Sequence, residues 1–571
     1  MASKGKRRLP ALRSLDGLDV LKYGPKIRSG QSPRLFSEKN MAEKVIGALK
    51  DYITLDEAAM TLARMRMHRT VRNASKEFLL RFFDVGWSST NKCPAREFLP
   101  PRRQWGRPGP KSRVKKNTGQ LQVASIMRCI RAHEKYGTLE ATEWGGRLVR
   151  LVADVQRHVR ECDISIAAPR AGKVPKLTTS GRRETRDISI FDNPADVILL
   201  SRTAAYLRDW FEPVLKAGRC CYSFRKSRKL THQSAVGALC RWRKRHEGEE
   251  LFVAECDIRK FFDNIRHDVI LKALDRNAAA LGNLDPAARE VVCAYLRCYR
   301  FGERDGVAVG IPQGGSLSPV LANMVMAQAD EAVLAFASEG LFYARYCDDM
   351  VIVATDEALC RHAMNAYFGA LDRLRLPPHP IADFVYGAEY FEAKSKGPFR
   401  WCAAEQGTPG CSPWVSFLGN QVRFDGEVRV RKDTVRKHVL KIKEEVGTAI
   451  GLWDRLGGKL RAGVKETFFY KAFRRRLVAK GVGYLRAGPV PKDGICWAAA
   501  FPNLTKNAVC ARQMCTLDFV RERALGAVRR VLALKGMRYL GRPSSYYGYL
   551  QKVKRPPQGR RRVVKLPYSE L

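Results

Sequence analysis

Three aspartates stand where apolar runs of this sequence end. Asp257 closes the run Leu251–Cys256, and the adjacent pair Asp348 and Asp349 separates two apolar runs as a hairpin tip would. Two carboxylates in one tight turn repel each other unless a cation lies between them. Nucleotide polymerisation needs two divalent metals held by carboxylates that converge from separate strands, and Mg²⁺ prefers such oxygen ligands. An Asp-Asp turn alone is more often structural, so the hypothesis depends on its combination with Asp257.

The residues around the aspartates predict the elements that must hold them. Leu251–Cys256 predicts a strand, and 259–265 predicts a turn into a helix, which places Asp257 at a strand end. The runs 342–346 and 350–354 predict the two strands of a hairpin. From Pro175 onward short β-like runs alternate with helical patterns, and the expected fold class is therefore α+β.

The charge of the chain predicts a polyanionic partner. Its 571 residues include 103 Lys and Arg against 57 Asp and Glu, a formal net charge of +46. A compact fold with this charge repels itself unless a partner neutralises it. Nucleic acid fits better than a membrane surface, because the basic residues are spread along the whole chain and no apolar run reaches the roughly 18–20 residues of a spanning helix.

The cysteines and the N-terminus predict a cytoplasmic location. The 16 cysteines lack the spacing of a zinc module and are expected to be free thiols, which suits a reducing compartment. The basic N-terminus is not followed by the apolar core of a secretory signal.

Helical patterns flank the central region on both sides. Thr54 to Glu57 has capping-box spacing and predicts a helical unit that reaches about Phe83, and 123–158 also has helical periodicity. The basic stretch 91–118 is either a solvated linker or a template-contacting loop. Apolar residues recur at helical spacing over 435–446 with Arg436, Lys437 and Lys441 between them, so a helix with a cationic face is expected there. The first 35 or so residues and 552–565 are expected to be ordered only on binding.

Five segments occur in an order that resembles the reverse transcriptase family. Tyr346-Cys347-Asp348-Asp349 resembles the YxDD box, and Asp257 with 261–265 resembles the first palm motif. Between them, 310–319 is similar to the PQGxxxSP motif, and 415–419 resembles the primer grip. Upstream, 222–228 resembles a fingers segment that usually contains Gly-Phe-Arg, although Ser223 replaces the glycine. The resemblance covers about 173–430 and is closest to the bacterial group of group II intron, retron and defence-associated enzymes.

The resemblance implies a right-hand polymerase fold with fingers, an antiparallel palm sheet and a helical thumb. The expected units are a basic, partly helical extension over 1–120, fingers and palm over 121–430, and a helical thumb with a basic C-terminal extension over 431–571.

The resemblance also assigns roles to individual residues. Two Mg²⁺ ions, or Mn²⁺ in their place, are expected at the catalytic aspartates. The implied metal ligands are Asp257, Ile258, Asp348 and Asp349. The implied nucleotide-binding residues are Phe262, Gln313, Gly314, Arg186, Lys176, Lys394 and Lys396. The implied primer and template contacts are Tyr346, Cys347, Phe417, Leu418, Gly419 and Arg225. Which of the two lysines after the YxDD box serves the pyrophosphate is left open.

The function that the resemblance implies is RNA-directed DNA polymerisation. The expected partners are an RNA template, specifically a structured non-coding RNA, together with dNTPs and the DNA product, and the oligomeric state stays open. Anti-phage defence is the expected setting, because no endonuclease cluster follows the thumb pattern. The alternatives are a group II intron-type maturase and an RNA-making polymerase. Phe262, five residues after Asp257, argues against RNA synthesis because its ring would exclude a ribose 2′-hydroxyl.

Overall fold

The computed structural model describes residues 46–72, 79–80, 82–83, 93–106, 118–177, 183–226, 230–382, 394–403, 410–482, 496–534 and 545–552. The predictions for the first 35 residues and for 553–565 lie outside these ranges. Over the described residues the chain combines helices with small sheets, which confirms the predicted α+β class.

The helices and strands have the following bounds in chain order. The helices are α1 (Leu55–Arg72), α2 (Thr118–Lys135), α3 (Glu143–Glu161), α4 (Pro194–Gly218), α5 (His232–Arg245), α6 (Phe261–Asn264), α7 (His267–Leu281), α8 (Pro286–Arg297), α9 (Ser318–Leu334), α10 (Glu357–Arg373), α11 (Lys432–Arg455), α12 (Glu466–Val482), α13 (Ala508–Val531) and α14 (Tyr546–Lys552). The strands are β1 (Arg170–Leu177), β2 (Arg183–Ile190), β3 (Phe252–Cys256), β4 (Gly302–Arg304), β5 (Val307–Val309), β6 (Leu341–Tyr346), β7 (Asp349–Ala354), β8 (Ile381–Ala382), β9 (Ser395–Arg400), β10 (Trp414–Phe417), β11 (Asn420–Arg423) and β12 (Val428–Val430).

Several helices begin where the local sequence supplies a capping side chain. Thr54 precedes α1 and its hydroxyl accepts the N–H of Glu57 at 3.3 Å, as its spacing predicts. Asn193 caps α4, whose first residue is a proline, and Asp356 accepts two backbone N–H groups at the start of α10. The sequence predicts an N-terminal helical unit that reaches about Phe83. α1 is described as far as Arg72 and residues 79 and 80 are helical, whereas 73–78 lie outside the described residues.

The central sheet has the strand order β6-β7-β3-β9-β8. All neighbouring pairs are antiparallel except β8 with β9 at the edge. Both faces of the sheet are buried. Ala254 and Ile352 face the helical side, whereas Val253 and Val351 face a second core that includes α5 and β10 to β12. Burial on both faces explains why these strands are almost continuously apolar.

The N-terminal helices share one continuous core with the central sheet. α1 packs against α2 and α4, and residues such as Leu62, Ile130 and Leu207 belong to the same cluster as Ile352. The hydrophobic core therefore continues across residue 120, where the sequence predicts a boundary between an extension and the fingers.

The C-terminal bundle, defined as α11 to α14, has its own apolar cores. It begins at Lys432, directly after β12, close to the predicted boundary at residue 431. The 3-10 turn Trp497–Ala500 and α13 supply the additional helical structure predicted between 497 and 523. Within the described ranges, none of the helices combines the length and apolar character that crossing a bilayer requires.

Candidate active site

The register of the central sheet brings the three aspartates together. β3 and β7 are antiparallel neighbours, and Cys256 pairs with Met350. The next positions in this register are Asp257 and Asp349, so the two strand ends lie side by side. Asp348 occupies the turn between β6 and β7, directly before Asp349.

The aspartates experience one another's charge. Burial raises the pKa of Asp348, and the charge of Asp257 raises it further. Loss of water around the carboxyl group raises the pKa of Asp349, and the charges of Asp348, Asp257 and Glu255 raise it further. The residue is still exposed, so solvent screens part of this repulsion. Clustered carboxylates with raised pKa values form a site where a divalent cation relieves repulsion.

The donor set fits hard divalent ions, which bind carboxylate oxygen. In the described parts of the chain, however, no three His, Cys, Asp or Glu side chains are already arranged to hold a metal ion. Asp257 instead pairs with Lys394, whose Nζ lies 3.1 Å from its Oδ2. Ile258 is 2% exposed. Because its side chain is a hydrocarbon, only its backbone carbonyl is chemically suited to bind a metal.

The two lysines after the hairpin have different environments. Lys394 is exposed and lies next to Asp257, with His379 Nε2 3.2 Å from its Nζ. Lys396 is 9% exposed, and its Nζ donates to Glu255 at 2.9 Å. Glu255 also accepts the backbone N–H of Ser416, so the Lys396 pair joins β3, β9 and β10. Of the two lysines, Lys394 is therefore the one placed to reach a substrate phosphate.

The hairpin β1-β2 docks against the segment that resembles the PQGxxxSP motif. The N–H of Ser189 donates to the carbonyl of Gln313 at 2.8 Å, and the side chain of Gln313 donates to Asp263 at 2.7 Å. Gly314 has φ +110°, and an added Cβ would lie 3.1 Å from the Ser189 carbonyl oxygen. A side chain at residue 314 would therefore strain this junction.

The predicted cations of the hairpin are only partly described. Arg186 on β2 is exposed. Its positive charge acts on Asp348 and offsets a small part of the increase in the pKa of that carboxyl. Lys176 pairs through its backbone with Glu184, and its side chain lies outside the described part of the structure.

The two adjacent phenylalanines of α6 face different surroundings. Phe261 is 3% exposed and belongs to the main core, whereas Phe262 is half-buried at the margin of that core. Their ring centroids lie 5.3 Å apart. Of the two side chains, that of Phe262 is therefore the one that is partly open to solvent.

The turn residue Cys347 has both backbone polar groups bound by side chains. Its φ is +63°, a left-handed conformation that non-glycine residues seldom adopt. Its N–H donates to the hydroxyl of Ser223 at 2.9 Å, and its carbonyl accepts from Arg345 at 2.9 Å. Tyr346, half-buried, contacts the rings of Phe224 and His232.

Sequence reasoning missed the buried network beneath this turn. Arg345 is fully buried and donates to both carboxylate oxygens of Asp330, at 2.7 and 2.6 Å. It also donates to Asn323, and Tyr343 donates to Asp330. The available signal was an arginine inside an apolar strand, because a buried charge requires a partner.

The segment that resembles the primer grip forms a tight turn. Phe417 is buried in the second core, and Leu418 and Gly419 have φ +49° and +75° between β10 and β11. Two successive positive φ values are typical of a hairpin turn that matches strand twist. The N–H of Arg431 donates to the carbonyl of Gly419, which ties the turn to the start of the C-terminal bundle.

The sequence predicts that Arg225 contacts primer or template, but its guanidinium is engaged inside the protein. The side chain is 3% exposed, pairs with Glu212 at 2.7 Å and donates to the carbonyls of Leu215 and Cys221. These contacts place it in a structural role, since its donor groups point to protein acceptors rather than to a strand of nucleic acid.

Comparison with known proteins identifies the central segment. Residues 211–380 match the family described as "Reverse transcriptase (RNA-dependent DNA polymerase)". This segment is a reverse transcriptase domain. It covers less than a third of the chain and contains Asp257, Asp348 and Asp349. Its antiparallel strands β3, β6 and β7, with the helices packed on them, belong to the palm of a right-hand polymerase fold.

Two curated relatives match shorter stretches. A putative COX1/OXI3 intron 1 protein of Saccharomyces cerevisiae is 30% identical over 138 residues, which are 24% of this chain and 15% of that protein. The Retron Ec83 reverse transcriptase of Escherichia coli is 28% identical over 101 residues, 18% of this chain and 31% of that protein. The chain thus spans less than a third of the length of either relative. The solved structure of apo telomerase from Candida tropicalis aligns over 87% of this chain and 88% of its own, at 9% identity and a TM-score of 0.33, a likeness too weak to inform function.

Proposed function

We propose that this chain is an RNA-directed DNA polymerase that adds dNTPs to a growing DNA strand on an RNA template. The observation that carries the proposal is the convergence of Asp257, Asp348 and Asp349 at the end of β3 and the adjacent turn between β6 and β7, inside the segment that matches the reverse transcriptase family. Carboxylates from two separate strands are what a two-metal nucleotidyl transfer site requires.

The proposed cofactor is a pair of Mg²⁺ ions, with Mn²⁺ as a substitute. Asp257, Asp348, Asp349 and the carbonyl of Ile258 would hold them. Bound metal would activate the primer 3′ oxygen and stabilise the leaving pyrophosphate. Lys394 pairs with Asp257. A cation bound to that carboxylate would replace the lysine as its partner, and the ammonium group would then be available for a substrate phosphate.

Other residues are proposed to orient the nucleotide and the strands. Arg186 supplies positive charge for the triphosphate, and Gln313 with Gly314 forms the wall where the fingers hairpin meets the palm. Phe262 lies beneath the incoming sugar. The primer terminus lies between two sets of residues, Tyr346 with Cys347 on one side and Phe417, Leu418 and Gly419 on the other.

Two other functions use the same fold. An RNA-making polymerase needs space and a polar partner for the 2′-hydroxyl, and the half-buried ring of Phe262 argues against such space. A maturase-like RNA-binding role is compatible with the relative named as an intron protein, and it can coexist with catalysis.

The proposed partners are a structured non-coding RNA as template and the DNA copied from it, and the proposed setting is anti-phage defence. A group II intron-type maturase is the alternative. Sequencing the RNA that co-purifies with the chain, together with the DNA made from it, would separate them: intron RNA supports the maturase, and a dedicated short RNA supports the defence role.

Primer extension on an RNA template tests the proposed activity. Asp257→Asn and Asp348→Asn should each abolish dNTP addition in Mg²⁺ and leave RNA affinity largely unchanged, because they remove metal ligands rather than phosphate contacts. Asp372→Asn is the matched control, since Asp372 is exposed on α10 within the same domain. Near-normal synthesis by either active-site variant would refute the assigned site.

A further inference from the structure

The turn that carries Asp348 is held by a serine from a distant segment. Residues 220–222 run beside β6, where Tyr222 donates its N–H to the carbonyl of Arg345 and Arg345 donates its N–H to the carbonyl of Cys220. This alignment places Ser223 directly under the turn. Ser223 is completely buried, so water does not compete for its hydroxyl.

Cys221 Sγ lies 3.8 Å from the hydroxyl of Ser223, which also makes two shorter buried hydrogen bonds. The hydroxyl accepts the N–H of Cys347 at 2.9 Å and donates to Asn323 Oδ1 at 3.3 Å. Asn323 in turn donates to the carbonyl of Ser223 at 3.0 Å and accepts from Arg345 at 3.1 Å. The orientation of the serine is therefore fixed from two sides.

The same network holds the other half of the turn. Arg345, anchored on Asp330, donates to the carbonyl of Cys347. Cys347 thus has its N–H bound by Ser223 and its carbonyl bound by Arg345, in a backbone conformation that needs outside support. Asp348 is the next residue, so the positions of its carboxylate and that of Asp349 depend on this grip.

We propose that Ser223 is a positioning residue for the catalytic turn, and that its hydroxyl fixes the Cys347 peptide and thereby the direction of Asp348. The effect on catalysis rests on the proposed polymerase function. The effect on the Cys347 peptide rests on the hydrogen bonds alone.

Ser223→Ala removes the acceptor and keeps the backbone unchanged. The N–H of Cys347 then has no buried partner, and its hydrogen exchange should become faster by about tenfold or more, since a tenfold change corresponds to the removal of one ordinary hydrogen bond. With a loosened turn, kcat for dNTP addition should fall about tenfold while the KM for dNTP changes less than about twofold, because the groups that contact the nucleotide are unchanged.

Ser125→Ala is the matched control. Ser125 is also buried, but its hydroxyl donates to Leu121 within α2. Ser223→Cys, which replaces the hydroxyl by a somewhat larger thiol that is a weaker acceptor, should fall between wild type and alanine in both measurements. A purely structural role of Ser223 would lower the melting temperature without this graded change in kcat per active site.

Hydrogen exchange of a peptide that spans 343–350, with single-nucleotide kinetics, decides between the outcomes. Faster exchange together with the drop in kcat supports the proposal, and unchanged exchange or unchanged kcat in Ser223→Ala overturns it. If the wild-type chain adds no deoxynucleotide at all, the polymerase function fails, and the exchange data still decide whether Ser223 holds the turn.

Discussion

At the scale of single residues, we expect the two phenylalanines of α6 to differ in role, with Phe261 stabilising the core and Phe262 selecting the sugar. Phe261 is buried in the core, and Phe262 is half-buried beside it. A ring that blocks a ribose 2′-hydroxyl acts by steric exclusion, so its removal should admit the larger sugar without harming use of the smaller one.

Phe262→Ala is therefore expected to raise ribonucleotide incorporation at least about tenfold, which corresponds to about 1.4 kcal/mol of differential barrier. Phe261→Ala should instead destabilise the fold by about 3–5 kcal/mol, as a large-to-small core change. Extension assays with matched dNTP and rNTP, with thermal melts of both variants, measure the two effects. The reverse pattern would assign the sugar selection to Phe261, and unchanged selectivity in both would remove the main argument against RNA synthesis.

The placement of Asp257, Asp348 and Asp349 at strand ends could be predicted from sequence, because one apolar run precedes Asp257 and two others flank the pair Asp348 and Asp349. The two lysines could not be separated in this way. Lys394 and Lys396 both follow the YxDD box at a similar distance, and their different environments come from the pairing of β9 with β3, about 140 residues away in the chain. Cross-strand pairing places Glu255 opposite Lys396 and leaves Lys394 beside Asp257. Arg225 illustrates the same limit, since only the fold shows that Glu212 and two carbonyls surround it.

At the scale of elements, α11 is the helix whose basic residues are predicted to follow a phosphate backbone. It runs from Lys432 to Arg455, buries Ile442 and Val446 and lies against β1 of the fingers hairpin. Arg436 and Lys441 on this helix are exposed, and Lys437 is half-buried.

RNA affinity is expected to fall steeply with salt, and reversing the charge of Arg436, Lys437 and Lys441 to Glu should flatten that dependence. For every phosphate that the variant no longer neutralises, the log–log slope becomes shallower by about 0.7–0.9. Reversal at Lys272, Arg289 and Arg297, on α7 and α8, is the control with the same change in net charge. A slope equal to that of the control would show that the basic face of α11 is only solvated.

The same helix contains a buried histidine that should make the C-terminal bundle sensitive to acid. His438 stacks on Trp497 at 4.3 Å, and Nε2 lies 2.7 Å from the hydroxyl of Tyr546. Burial, and then the charge of Lys441, lowers its pKa to about 3. An unfolded histidine titrates near pH 6.5, so between about pH 6.5 and 3 the unfolded state binds the extra proton.

Stability is therefore expected to fall as the pH drops through this window, by about 1.4 kcal/mol per pH unit from this group. His438→Gln, which cannot take up the proton, should lose stability at neutral pH and show a weaker dependence between pH 7 and 5. Thermal melts across this range measure the difference from wild type. His362→Gln, on the exposed side of α10, is the control, and equal pH dependence in wild type and His438→Gln would contradict the assignment.

At the scale of the whole molecule, the N-terminal part of the chain packs against two separate cores, one of which belongs to the C-terminal bundle. α1 lies in the core shared with the palm, and so do Cys93, Ala95 and Leu99. Between them, Leu79 and Phe83 are buried in the C-terminal bundle with Leu452 and Phe469. The sequence predicts this stretch as the end of an N-terminal helical unit. It does not predict the packing on the C-terminal bundle, because these partners lie more than 360 residues away and leave no local pattern.

This docking segment, defined as residues 79, 80, 82 and 83, is held by aromatic and backbone contacts. Phe83 packs edge-on against Trp453 and Phe469, at 6.1 and 5.6 Å between ring centroids. Phe82 contacts Phe469 at 5.5 Å, and its carbonyl accepts the N–H of Arg461. The core that contains α1 and the C-terminal bundle are thus joined twice, through the central sheet and through this segment.

The second connection should limit how far the thumb can move from the fingers. Phe83→Ala is expected to destabilise the C-terminal bundle by about 3–5 kcal/mol, because a buried ring in an aromatic cluster is removed. On the proposed function, a thumb released from this contact holds the duplex less well, and DNA products made in a single encounter with template should become shorter. Thermal melts, hydrogen exchange of α11 to α13 and extension in the presence of a trap measure these effects. Phe519→Ala, at a phenylalanine that is 66% exposed on α13, is the matched control. If Phe83→Ala melts like this control and makes products of wild-type length, the docking segment rests on the thumb without restraining it.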